Sequence, residues 1–85
     1  MLDKTPNPLE VWSAADFGSA VRQWRRAKGW NQSQLAAWLD CHRVTVAKLE
    51  HGGAVSLPFA MRALTLLGTR IFIADKQTDP RRVQL

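Results

Sequence analysis

The stretch Asn31–Glu50, NQSQLAAWLDCHRVTVAKLE, carries two short apolar periods separated by a break. Asn31 is a residue type that starts helices, because its side-chain oxygen accepts a backbone N–H left free in the first turn. From Gln32 to Leu39, the residues Leu35, Ala36 and Leu39 share one face at helical spacing, which predicts a short helix packed on something else. Asp40-Cys41-His42 interrupts that period. A second one begins near Arg43, with Val46 and Leu49 three apart and Arg43, Val44, Ala47 and Lys48 on the opposite side. It stops at His51-Gly52-Gly53, where glycine supplies the left-handed conformation that commonly closes a helix.

Two short helices joined by a tight turn form the helix-turn-helix pattern, whose second helix enters the major groove of DNA. The charge agrees with it: twelve Lys and Arg against seven Asp and Glu give +5, which favours a polyanionic partner once the cations are placed on that second helix. Eighty-five residues make one small domain with a marginal core, which dimerisation would help. No apolar run approaches the ~20 residues a membrane helix needs, and MLDKTPNPLE has no signal-peptide layout, so a cytoplasmic chain is expected. The single cysteine, Cys41, can form no internal disulfide, and with His42 beside it falls short of a zinc ligand set. With two histidines, no glycine-rich phosphate loop and no nucleophile set, the chain does not read as an enzyme, and no cofactor or metal is expected.

Outward from the central pair, residues 1–12 contain Pro6 and Pro8 and no period, and read as a flexible arm with Trp12 as its one anchor. Ser13–Asp16 resembles a capping box, and Phe17, Ala20, Val21 and Trp24 then recur at helical spacing. This predicts a first helix over 14–28, with Arg22, Arg25, Arg26 and Lys28 on its other face, and Trp24 and Trp30 in the core. Past the loop, Ser56 as N-cap and Pro58 in the first turn predict a fourth helix through Leu57, Ala60, Met61, Leu64 and Leu67 to Gly68. Over 69–75 the period changes from 3.6 to 2, and Arg70, Ile71, Phe72 and Ile73 read as a strand. A strand with no partner in its own chain predicts pairing with the same strand of a second copy; an extension of the fourth helix or a frayed tail are the alternatives. Residues 76–85 read as a flexible tail.

Gln32-x-x-Leu35-Ala36 followed by Val44-Thr45-Val46-x-x-Leu49-Glu50-x-Gly52 resembles the Cro/C1 (XRE) class of phage-repressor domains, over roughly residues 17–68. The resemblance implies an all-α, lambda-repressor-like helix-turn-helix domain of four main helices over 13–68, here with one C-terminal β-strand pairing across a homodimer. It implies base reading by His42, Arg43, Val44, Thr45 and Lys48. Arg43 and Lys48 suit the O6 and N7 acceptors of guanine, and Val44 suits a thymine methyl. It implies phosphate contacts from Gln32, Asn31 and Arg22 and from Gly52 and Gly53, and an ion pair between Arg25 and Glu50, which read blandly would be two solvated charges. Two departures concern the turn: Asp40 stands where the class commonly has glycine, and His42 where it commonly has a small cap. A third is Trp38, in a slot that is usually polar, which makes it a candidate protein contact unless it folds back onto Trp12.

Within that class, Gly29–Ala36 (GWNQSQLA), the compact size and a strand directly after the fourth helix are similar to the HipB-type antitoxins. That similarity implies a dimeric antitoxin that represses its own type II toxin-antitoxin operon at palindromic DNA and neutralises a HipA-like kinase toxin, with Trp38 as candidate toxin contact. The alternatives are a stand-alone repressor and a helical interaction module that does not bind DNA.

Overall fold

A computed structural model describes residues 9–73. They form four helices in the order α1 (Ala14–Ala27), α2 (Gln32–Leu39), α3 (Arg43–Glu50) and α4 (Leu57–Leu66). The residues 1–8 of the expected arm, the last two positions of the expected strand and the expected tail over 76–85 lie outside the described residues. No helix among the described residues is long and apolar enough to cross a membrane.

Local chemistry sets three of the four starts. Ser13 accepts from the Asp16 amide, Asn31 and Gln34 form a reciprocal capping box, and Ser56 accepts from the Phe59 amide with Pro58 in the first turn. The ends are set as locally, by Gly29, Gly52 and Gly68 at positive φ. Asp40 does the same work without being glycine: at φ 54° it closes α2 in the left-handed region, which its short polar side chain tolerates. The turn Asp40–His42 therefore has the geometry that glycine would give it.

The core is formed by Val21 of α1, Leu35, Ala36 and Leu39 of α2, Val46 and Leu49 of α3, and Ala60, Ala63, Leu64 and Leu67 from α4 and its end. Fully burying one such leucine stabilises by roughly 1.5–3 kcal/mol. Phe17, Trp24 and Trp30 pack on its edge, half-buried. Two assignments made from periodicity are corrected. Arg25, placed with the exposed cations of α1, is buried, and so is Gly18, which gave no periodic signal. Leu57 and Met61, read as core, lie on the outer side of α4, Leu57 at 72% exposure; Ala63 takes the inner position instead.

Beyond Gly68 the chain leaves the helical path, which removes the helix-extension alternative. In the single chain no strand is formed among the described residues, since a ladder for Arg70–Ile73 requires a partner strand. The Arg70 guanidinium lies 5.6 Å from the Phe72 ring centroid. Trp12 anchors through its backbone amide, which donates to Asp16, while its ring stays exposed.

Candidate nucleic-acid interface

The α1–α3 contact is built on a missing side chain. A Cβ at Gly18 would overlap the backbone carbonyl oxygens of Glu50 and Leu49, so glycine is what lets the two helices approach this closely. Two turns further along α1, Arg25 meets Glu50. Arg25 donates from Nε to Glu50 Oε2 at 2.6 Å and from Nη2 to Oε1 at 3.0 Å, a bidentate pair with side chains 8% and 1% exposed. Its remaining amino group donates to the Trp30 carbonyl at 2.8 Å, tying down the α1–α2 connection as well. The two residues are thus a buried, fully bonded pair, not solvated charges. Burial on its own pushes the Glu50 carboxyl up, but hydrogen bonds from Arg25 and Gln32 and the charges of Arg25 and Arg22 outweigh it and hold it below the usual value.

The pair continues toward the exposed face of α3. Gln32 donates from Nε2 to Glu50 Oε1 at 3.1 Å and accepts at Oε1 from Arg43 Nη1 at 2.9 Å. Arg25, Glu50, Gln32 and Arg43 therefore form one hydrogen-bonded chain that runs from the buried helix contact to the first residue of α3. It fixes one edge of the Arg43 guanidinium and leaves the other outward. The Gln32 amide has a second hydrogen beyond the one given to Glu50.

Arg43, Val44 and Lys48 are all exposed, with Thr45 partly covered between them and His42 exposed before them. His42 makes no side-chain cap bond. The Lys48 stem lies across Gly53, where a Cβ would come within 2.6 Å of Lys48 Cγ, so the loop after α3 steers this lysine. Gly52 presses on the start of α1, a Cβ there falling 2.7 Å from Ala15 Cα. The amides of Gly52 and Gly53 already donate to Leu49 and Lys48, so a phosphate contact there would share them. Asn31 is engaged as the α2 cap. Arg22 and Arg26 of α1 join Arg25 and Arg43 around a concavity of about 790 Å³ that opens beside Gln32 and has Glu50 as its one carboxylate. Four guanidiniums against one already paired carboxylate make this face strongly cationic.

Trp38 is 62% exposed and stacks on Trp30, ring centroids 6.2 Å apart, rather than on Trp12. The Lys28 ammonium sits 6.0 Å from the Trp30 ring centroid. Of the residues that matter, sequence reasoning missed Gly18 and the Gln32 bridge, neither of which leaves a local pattern, and it placed Arg26 on the outer face of α1 without a role.

A comparison with protein families matches residues 16–70 to the model of the helix-turn-helix domain. No curated protein matches the chain. With that match running from within α1 to beyond α4, the chain belongs to the helix-turn-helix domain family, of the Cro/C1-like kind.

Proposed function

We propose that the protein is a dimeric antitoxin that binds DNA, represses its own type II toxin-antitoxin operon and neutralises a HipA-like kinase toxin. The observation that carries the DNA part is the bonded chain Arg25–Glu50–Gln32–Arg43, which presents a cationic reading helix in a fixed pose. On this reading Arg43 and Lys48 read guanine edges, Val44 meets a thymine methyl, and Arg22 and Gln32 sit at phosphates. The protein performs no catalysis.

The dimer is supported by the exposure of Ile71, Phe72 and Ile73 just past α4; a second copy of that segment would cover them. The toxin is supported by the likeness of Gly29–Ala36 to HipB-type antitoxins and by Trp38, a large exposed aromatic of the kind that anchors protein contacts. A stand-alone repressor is the second reading, since the same face would serve it unchanged. Co-purification with the product of the adjacent gene separates the two. A stoichiometric complex that Trp38→Ala weakens supports the antitoxin; a neighbour that is no kinase and does not bind leaves the repressor. A gel shift on the upstream region at low salt tests both, because failure to bind any palindrome there removes the DNA reading itself.

A further inference from the structure

Leu39 is the last residue of α2, and its carbonyl lies where intrahelical pairing runs out. Arg62 of α4 donates to it from Nη2 at 2.9 Å, across 23 positions of sequence. The carbonyls just before it are closed locally, Ala37 by the Asp40 amide at 3.2 Å and Ala36 by the Cys41 amide at 3.0 Å. The last turn of α2 holds no basic residue, so the cation that complements the negative end of this helix comes from another helix. On the far side of the turn, His42 gives α3 no side-chain cap. Among the described residues, Arg62 is the only side chain from outside α2 and α3 that hydrogen-bonds the end of α2, where the turn begins.

We propose that Arg62 is a positioning residue for the reading helix: by holding the Leu39 carbonyl from α4, it fixes the Asp40–His42 turn and hence the angle at which α3 presents Arg43, Val44 and Lys48. The Arg25–Glu50 pair anchors the C-terminal end of α3, and Arg62 anchors the approach to its N-terminal end. The consequence for DNA rests on the reading of α3 given above; the consequence for the turn does not.

Cys41 supplies a reporter inside the turn. Its thiol is half-buried on the core, and burial raises its pKa, with the Arg62 charge acting to lower it and Asp40 to raise it. Removing the Arg62 charge would by itself make the thiol less reactive, so faster alkylation after that change reports opening of the turn. The test compares the 85-residue chain with its Arg62→Met and Arg62→Lys variants, at a temperature where circular dichroism shows all three folded. Two quantities are read: the iodoacetamide alkylation rate of Cys41, and the ratio of affinities for a duplex enriched from a random pool by the wild-type chain and for its shuffled sequence. In Arg62→Met, alkylation should rise about fivefold and the affinity ratio should fall roughly tenfold. Arg62→Lys, which keeps a cation and a donor, should recover most of both. Alkylation that is unchanged or slower would overturn the proposal. So would a lowered melting temperature with an unchanged affinity ratio, because that is a structural role alone. A wild-type chain that enriches no sequence refutes the DNA reading instead, and alkylation still decides whether Arg62 holds the turn.

Discussion

Where α1 meets α3, the buried charges face each other at hydrogen-bond distance, and no buried side-chain nitrogen or oxygen among the described residues lacks a partner. Where the chain leaves α4, Ile71 and Phe72 are about half exposed and Ile73 is 97% exposed. The first region is complete in one chain; the second is a run of apolar side chains that the other described residues leave about half exposed or more. On the function proposed above, the difference separates two kinds of recognition. A surface meant for DNA gains from being rigid before binding, since side chains already held in place lose less freedom on contact. A surface meant for a protein can remain open until the partner supplies its other half.

The comparison breaks most severely at Gly18. Gly18→Val puts a branched side chain into the backbone of Glu50 and Leu49 and should prevent cooperative folding, with loss of the helical thermal transition; Gly18→Ala should fold with a much lower melting temperature. Glu50→Ala comes next. Leaving Arg25 buried without its partner should cost about 3–5 kcal/mol in denaturant melts.

The same pair has a pH signature. Because the folded-state pKa of Glu50 lies below the ordinary value of 4.5, its contribution is full above that pH and is lost as pH falls through the folded value. The gap in stability between wild type and Glu50→Gln should therefore be constant from neutral pH to about 5 and shrink at lower pH; a gap that widened in acid would reverse the assigned sign. Asp40→Gly sharpens the account in the other direction: relieving a non-glycine residue at φ 54° should raise stability by about 0.5–1 kcal/mol. Ile73→Asp should change the thermal transition of the monomer least of all, while abolishing any dimer seen by sedimentation. A large fall in monomer stability would show that the segment packs on its own chain.

What the sequence made legible follows from how far each cause reaches along the chain. Leu35, Leu39, Val46 and Leu49 were placed because burial on a helix face repeats every three or four residues. The caps at Ser13, Asn31 and Ser56 were placed because each acts within three positions. Gly18 was not, since a close approach is defined by the opposing backbone and leaves no side-chain pattern. Arg25 looked exposed because charge usually is, and only the resemblance pointed to Glu50 as its partner. Leu57 and Met61 lie four apart on one face, and spacing alone could not say whether that face was the inner one. The chain from Glu50 through Gln32 to Arg43 joins three helix ends, and no local rule reaches across them.

The central claim is that α3 is a DNA-reading helix held in advance of binding by α1. It is tested most directly by fluorescence anisotropy on two labelled duplexes, the best site enriched by the wild-type chain and its shuffled sequence, titrated with wild type and with Arg43→Ala. Loss of about 1–3 kcal/mol on the enriched site, little change on the shuffled one, and relaxed preference at one base pair are the predicted results. Equal weakening on both duplexes, or none on either, would contradict the claim.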